Sequence, residues 1–182
     1  MTKNKLDDPR LCMRAAPGLT EGLHAFGRKY GGGTLVELGV WQGESTLVHA
    51  KYFDYVLGVD PWELTIDKTL GDCVGAEMHP RDMRWAHAQA HKNTYNQRNV
   101  MLINAFDMDV EPFIGKVDGV YIDAVHTDAA VSRQIKLWLP HCTRFIAGHD
   151  YDKRFRGVMK AVDREFADRV DVFEDTTWAV KL

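Results

Sequence analysis

The chain has 182 residues, of which 45% are hydrophobic and 27% charged, and this composition is that of an ordinary globular domain with a substantial core. Its formal net charge of −3 excludes a strongly basic protein that binds nucleic acid through its phosphates. The three cysteines are widely spaced, odd in number and without a CxxC pair, which argues against a disulfide framework or a zinc site.

The segment MTKNKLDDPR at the start of the sequence lacks the apolar core of a signal peptide. No apolar run reaches the roughly 20 residues that a membrane helix needs. We therefore expect a single cytoplasmic domain over residues 1–182, with residues 1–17 as an N-terminal extension. We expect neither a membrane nor a nucleic acid as its partner.

Helical and strand-like segments alternate along the chain. The first is a helix over 18–30, in which Leu19, Leu23 and Phe26 recur at helical spacing. Short, nearly continuous apolar runs predict five strands buried on both faces of a parallel sheet: 34–40, 55–60, 100–105, 119–123 and 144–150. The segments between them predict helices: 43–52, 80–97 and 127–139.

The C-terminal part follows a different pattern. After a predicted helix over 157–169, the runs VDVFED and TWAVKL are too close together for a crossover helix, which predicts an antiparallel hairpin at one sheet edge. The predicted fold is therefore α/β. It is a Rossmann-like doubly wound sheet of five parallel strands plus a C-terminal antiparallel hairpin, with helices on both faces.

The connection over residues 61–98 is long for this kind of fold, in which such loops usually take a handful of residues. Its first part, 61–79, has no clear periodicity. It is either a surface excursion or a lid over a site.

Polar residues end or follow all five predicted strands, whereas the strand bodies are apolar. In chain order these polar residues are Glu37; Asp60; Asn104 and Asp107; Asp123 and His126; and His149 and Asp150. Two glycines, Gly39 and Gly43, also follow the first strand. Ligands of open α/β sheets bind beyond the carboxyl ends of the strands, so this pattern predicts a site at that edge.

Two features of this edge suit an adenosine-containing ligand. Glycines after the first strand let the backbone approach a ligand closely, and Asp60, 21 residues after Gly39, is placed to accept hydrogen bonds from ribose hydroxyls. The spacing Gly39-x-x-x-Gly43 with bulky Trp41 inside it differs from the GxGxxG pyrophosphate fingerprint, and no GxxxxGK[ST] phosphate loop is present.

Four ordered motifs carry a family resemblance: VELGVWQGEST, VLGVDPWE, VDGVYIDAVHTDAAVSRQIKLWLP and FIAGHDYD. Together they resemble the class I S-adenosylmethionine-dependent methyltransferases. The nearest branch is that of the macrocin-type small-molecule O-methyltransferases. The C-terminal segment GVMKAVDREF…TTWAVKL, with its closing hairpin, also resembles that branch. The resemblance covers roughly residues 33 to 182.

The resemblance implies a cofactor, S-adenosylmethionine, and a set of residues that bind it: Glu37, Gly39, Gly43, Ser45, Asp60, Ala105, Phe106 and Asp107. It also implies a divalent cation, Mg²⁺ or Mn²⁺, held by Asp123, His149 and Asp150. His126, just past Asp123, is placed to be a general base or a further metal ligand. The predicted catalytic residues are Asp123, His126 and His149. The predicted partner is a small-molecule methyl acceptor, and a homodimer is compatible with the resemblance.

The function that the resemblance implies is S-adenosylmethionine-dependent O-methylation of a small hydroxylated molecule, a sugar or a secondary metabolite, assisted by a divalent cation. The alternatives are a nicotinamide-dependent oxidoreductase, a metal-dependent hydrolase and a module that binds S-adenosylmethionine without catalysis. His87 and His91, four residues apart, are interpreted as one face of a helix because no HExxH-type acid accompanies them.

Overall fold

The structure is a computed structural model that describes residues 20–63 and 80–182. Within these residues, one sheet contains seven strands: β1 (Thr34–Leu38), β2 (Tyr55–Asp60), β3 (Val100–Asn104), β4 (Val117–Ile122), β5 (Cys142–Gly148), β6 (Asp171–Val172) and β7 (Trp178–Lys181). Their order across the sheet is β3-β2-β1-β4-β5-β7-β6. The strands β2 and β3 are therefore added on one side of β1 and the later strands on its other side, so the strand order reverses between β1 and β4.

The strand directions confirm the predicted architecture. β1 to β5 pair in parallel, β7 pairs antiparallel with β5, and β6 pairs antiparallel with β7. The carboxyl ends of the five parallel strands consequently lie along one edge of the sheet, which is the edge where the polar residues were predicted to gather.

The described residues also contain six α-helices: α1 (Glu21–Tyr30), α2 (Glu44–His49), α3 (Pro80–Thr94), α4 (Asp107–Val110), α5 (Asp128–Trp138) and α6 (Arg156–Phe166). Three short 3₁₀ turns accompany them: Glu111–Phe113, Leu139–His141 and Lys153–Phe155. The predicted N-cap of α5 is confirmed, because the Thr127 hydroxyl accepts a hydrogen bond of 3.2 Å from the amide of Ala130.

The two faces of the sheet are covered by different helices, as predicted. Val36 and Leu38 of β1 point into a core formed with α5 and α6, in which Trp138 is fully buried. The alternate residue Leu35 joins a second core with Phe26 of α1 and Val48 of α2. Since side chains alternate along a strand, Glu37 lies on the same face as Leu35, beneath α2.

Two strand ends differ from the predicted bounds. β1 ends at Leu38 instead of residue 40 because Gly39 has a φ of 91°, a left-handed conformation that breaks the strand. β5 ends at Gly148 instead of residue 150, and Asp150 has a φ of 62°, which is unusual for a residue with a side chain. Both departures occur at the site edge of the sheet.

Two sequence-based interpretations concern other parts of the chain. The predicted extension over 1–17 and most of the predicted lid over 61–79 lie outside the described residues. Helix α3 confirms the helix predicted over 80–97, ending at Thr94. Among the helices that the structure describes, none combines the length and the apolar character required to cross a bilayer.

Candidate active site

The site is centred where β1 and β4 run side by side, at the point where the strand order reverses. Backbone hydrogen bonds continue one residue past the strands: the amide of Gly39 donates to the carbonyl of Val59 (2.9 Å), and the amide of Asp123 donates to the carbonyl of Leu38 (2.8 Å). A Cβ on Gly39 would lie 1.9 Å from the carbonyl oxygen of Asp123. Glycine is therefore required here by both its left-handed backbone and the close approach of the next strand.

Asp60, at the end of β2, holds the loop that follows β1. Its Oδ2 accepts hydrogen bonds from the amides of Val40 and Trp41, each 2.9 Å, and its Oδ1 accepts one of 2.7 Å from the amide of Trp62. Burial raises the pKa of Asp60, and the three amide hydrogen bonds act in the opposite direction without cancelling it. The side chain of Trp62 closes the same assembly, since its indole N–H donates to the Trp41 carbonyl at 2.7 Å.

One position for a further hydrogen bond remains on the Asp60 carboxylate. Each carboxylate oxygen can accept about two hydrogen bonds. Oδ2 has two donors among the described residues and Oδ1 has one. Asp60 can therefore fix the loop and still accept one hydrogen bond from a ligand.

Glu37 is fully buried below the same loop and its oxygens already have partners. The hydroxyl of Ser45 donates to Oε1 at 2.5 Å, and that of Thr46 donates to Oε2 at 2.6 Å. Burial raises the pKa of Glu37 to about 8, although the two hydroxyl groups lower it. The predicted cofactor residues Glu37 and Ser45 thus contact each other and tie the first turn of α2 to β1.

Gly43 precedes α2 in a left-handed conformation, with a φ of 75°. A Cβ there would lie 3.3 Å from the Cα of Ala90, so α3 packs directly on this turn. Gly43 therefore allows α3 to approach the loop that carries Trp41.

The residues after β3 lie beside Asp60, because Asn104 is the register partner of Asp60. Ala105 and Phe106 follow directly and are half-buried, as is Asp107 at the first position of α4. The carboxylate of Asp107 accepts a hydrogen bond of 3.2 Å from Gln134. These three residues form the side of the edge away from β4.

Four titratable side chains gather after β4 and β5. His126 Nε2 lies 2.9 Å from Asp150 Oδ2 and 3.7 Å from Asp123 Oδ1. His149 Nδ1 lies 3.2 Å from the other oxygen of Asp150. Asp123, His126 and Asp150 each offer one potential ligand atom, and these three atoms all lie within 4.8 Å of one another.

This cluster contains the three residues predicted to hold a cation, but it groups them differently. His126, interpreted from sequence as a base or a further ligand, lies between the two carboxylates. His149, predicted as a ligand, pairs with Asp150 alone and keeps a buried Nε2 without a hydrogen-bond partner. The left-handed backbone of Asp150 directs its carboxylate between the two rings.

Comparison with known proteins identifies the family. Residues 36–151, which include both strand ends at the reversal point, match a family described as a methyltransferase domain. The chain belongs to this methyltransferase family. A search of curated proteins finds no match to its sequence.

Solved structures share the fold of this methyltransferase. An O-methyltransferase from Bacillus cereus in complex with S-adenosylhomocysteine (SAH) is 16% identical, with a TM-score of 0.56, and the match covers 92% of this chain and 82% of that one. TomG, an O-methyltransferase from Streptomyces achromogenes involved in tomaymycin synthesis and in complex with S-adenosylmethionine, is 13% identical (TM-score 0.55; 87% and 77% covered). An rRNA methylase from Streptococcus thermophilus is also 13% identical (TM-score 0.56; 87% and 91% covered).

The family match favours the methyltransferase interpretation over the nicotinamide-dependent oxidoreductase. The hydrogen bonds of the site also include two residues to which the sequence-based argument gave no role. Thr46 holds the second oxygen of Glu37, and Trp62 connects the loop after β1 to the end of β2. Strand alternation places Glu37 on the same face as Leu35, but the contact with Thr46 also requires knowing that α2 covers that face.

The electrostatics of the acid–histidine cluster in this methyltransferase favour positive charge. Burial alone would lower the pKa of His126, but Asp123 and Asp150 outweigh it and raise that pKa to about 10. Burial is likewise outweighed at His149, mainly by Asp150, and its pKa rises to about 9. Burial would raise the pKa of Asp150, whereas the two histidines lower it well below its usual range. The carboxylates therefore hold protons on both rings at neutral pH.

Proposed function

We propose that this methyltransferase transfers the methyl group of S-adenosylmethionine to a hydroxyl group of a small molecule, with the help of a divalent cation. The observation that carries the proposal is that Asp60, at the end of β2, and the Asp123–His126–Asp150 cluster, which follows β4 and β5, lie at the same edge of the sheet on either side of β1. An acid suited to ribose and a cluster suited to a cation thus share one edge of the sheet. The order of the sequence motifs supports the macrocin-type branch within the family.

The cofactor would lie across the end of β1. The unfilled position on the Asp60 carboxylate is suited to a ribose hydroxyl, and Ala105, Phe106 and Asp107 would flank the adenine. Gly39 and Gly43 would leave room for the amino-acid end of the cofactor. Glu37 and Ser45 would act through the turn that they hold, since each is buried and bonded to the other.

The donor set of the cluster fits a divalent cation. Two carboxylates and an imidazole converge within 4.8 Å, and Nε2 of His126 faces Asp150 Oδ2 at 2.9 Å. Oxygen ligands suit Mg²⁺, and an imidazole ligand shifts the preference toward Mn²⁺. Asp123, His126 and Asp150 would hold the ion, with His149 keeping Asp150 in position. A cation bound there would lower the pKa of the acceptor hydroxyl and fix its oxygen.

The chain's own residues have defined tasks in this reaction. In the transfer, the acceptor oxygen forms a bond to the methyl carbon, the carbon–sulfur bond breaks, and SAH leaves with the electron pair. The hydroxyl proton would pass to solvent water, because a cation bound at the cluster would have lowered the pKa of the hydroxyl group. His126 at a pKa of about 10 is already protonated at neutral pH and is a poor base in that state. Its ring nitrogen therefore serves better as a ligand once a cation has replaced its proton.

Calorimetric titration with SAH tests the cofactor half of the proposal, with Mg²⁺ or Mn²⁺ absent and then present. A dissociation constant in the micromolar range, about −8 kcal/mol, is expected for the wild-type chain. Absence of SAH binding under every condition would contradict the proposal. Binding without methylation of any hydroxylated acceptor would instead support the non-catalytic module.

A matched pair of variants tests the cation half. Asp150→Asn removes one carboxylate charge from the cluster, whereas Asp152→Asn changes a partly exposed carboxylate outside the cluster, whose Oδ1 accepts a 2.9 Å hydrogen bond from the amide of Arg154. We expect Asp150→Asn to keep SAH affinity and lose Mn²⁺ binding, and Asp152→Asn to keep both. Equal Mn²⁺ binding by the two variants would contradict the assignment of Asp150.

A further inference from the structure

His87 and His91 form a close pair outside the proposed active-site cluster. They lie one turn apart on α3, and their Nε2 atoms are 3.0 Å from each other. The ring centroids are 4.8 Å apart, so both rings project in the same direction from the helix. Neither residue has a task in the proposed methyl transfer.

This separation equals that of two ligands on one metal ion. Two imidazole nitrogens at about 2.05 Å from an ion, with an angle of about 90–109° between them, lie about 2.9–3.3 Å apart. A hydrogen bond between the rings has the same geometry, with a proton in place of the ion. Neutral imidazole pairs prefer late first-row cations, in the order of affinity that peaks at Cu²⁺.

The first ring of the pair is held in place before any ion binds. His87 stacks on the indole of Trp62, with centroids 4.3 Å apart and an interplanar angle of 23°. Trp62 is itself buried, at 5% exposure, and bonded to both Trp41 and Asp60. A ligand held in this way loses little conformational freedom on binding.

The second ring leaves the site open to solvent. His91 is exposed at the helix surface, so water or an external ligand can occupy the remaining positions around an ion. Burial, followed by the neighbouring His91, lowers the pKa of His87. This direction favours the neutral ring, which is the form in which imidazole binds metals.

We propose that His87 and His91 form a two-histidine site for a late first-row transition cation, of the class of Cu²⁺, Ni²⁺ and Zn²⁺. The site lies on α3 and shares no residue with the cluster of Asp123, His126 and Asp150, which follows β4 and β5. Because its first ring rests on Trp62, an ion there lies next to the residue that closes the loop beside Asp60. The site does not depend on the proposed methyl transfer.

Titration of the metal-stripped chain with Ni²⁺ tests the site, with calorimetry or equilibrium dialysis to count the ions bound. His91→Ala removes one ring from an exposed helix position, where alanine is a good helix former, and Lys92→Ala is the matched control on the next residue. We expect His91→Ala to bind one Ni²⁺ fewer than the wild-type chain, or to bind that ion about tenfold or more weakly. Lys92→Ala should bind as the wild type does.

The nature of the ligands provides a second measurement. The electron paramagnetic resonance spectrum of bound Cu²⁺ contains nitrogen couplings that report imidazole ligands. The signal component that disappears in His91→Ala should also disappear in His87→Ala and persist in Lys92→Ala. The same Ni²⁺ stoichiometry and affinity in wild type and His91→Ala, with circular dichroism unchanged, would overturn the proposal.

Discussion

Replacement of Asp60 by asparagine separates its structural task from its proposed binding task. The carboxylate accepts three backbone hydrogen bonds, two on Oδ2 and one on Oδ1. Asparagine keeps one acceptor oxygen, which can still serve Val40 and Trp41. Its amide nitrogen then faces the N–H of Trp62, and two donors meet where a donor and an acceptor met before.

The size of the effect follows from this count. A buried donor left without its partner costs about 1–3 kcal/mol, and removal of a buried charge offsets part of that cost. We expect Asp60→Asn to lower the free energy of unfolding by about 1–3 kcal/mol, which a domain with a stability of about 5–15 kcal/mol tolerates. Loss of a charge-assisted hydrogen bond to ribose, about 1.5–3 kcal/mol, should weaken SAH binding about 10- to 150-fold.

Asp54→Asn is the matched control for this experiment. Asp54 lies just before the opposite end of β2 and accepts a single exposed hydrogen bond, 2.8 Å from the amide of Gly33. Urea unfolding measures stability and calorimetry measures SAH affinity for both variants. The proposed ribose contact would be refuted if folded Asp60→Asn bound SAH within about twofold of the wild type and of Asp54→Asn.

Other predictions concern the turn and the helix that shape the site. Burial raises the pKa of Glu37 from 4.5 to about 8, so the folded state holds the proton of this carboxyl group more tightly than the unfolded state does. The stability that this proton contributes is fully present below pH 4.5 and is lost as the pH rises through 8. The free energy of unfolding of Glu37→Gln in urea should therefore depend less on pH between 4.5 and 8 than that of the wild type. Gly39→Ala places a Cβ at 1.9 Å from a carbonyl oxygen and should destabilise by more than about 2 kcal/mol in thermal unfolding. Gly115→Ala should have little effect, because among the described residues none besides its chain neighbours comes within 4 Å of the added Cβ. Thr127→Ala should cost about 1 kcal/mol in urea unfolding through loss of the helix cap.

The sheet could be predicted from sequence because its strands obey a simple rule. Buried parallel strands are nearly continuously apolar, and a polar residue lies at or close to the carboxyl end of each of the five. The runs after residue 169 were too close together for a crossover, so the antiparallel hairpin followed from chain length alone. The edge on which Asp60 and Asp123 lie was fixed by the same reasoning.

The side-chain partners inside the site could be predicted less well, since they depend on backbone conformations that residue types do not reveal. Asp150 adopts a left-handed φ of 62° without being glycine, and this turns its carboxylate toward His126 as well as His149. The sequence placed these residues near one another but could not rank the two histidines as ligands. The pairing of Glu37 with Ser45 required knowledge of which face α2 covers.

The backbone at Asp150 has a consequence for the evolution of this chain. A left-handed conformation costs a residue with a Cβ stability that glycine would not lose. Selection for folding alone would therefore favour glycine at position 150, whereas selection for the proposed cation site would retain the carboxylate. Asp60 is different, because its three backbone hydrogen bonds and its proposed ribose contact both favour the same carboxylate. Among descendants of this chain, position 150 would change first in a lineage that had ceased to use the site, and position 60 would persist.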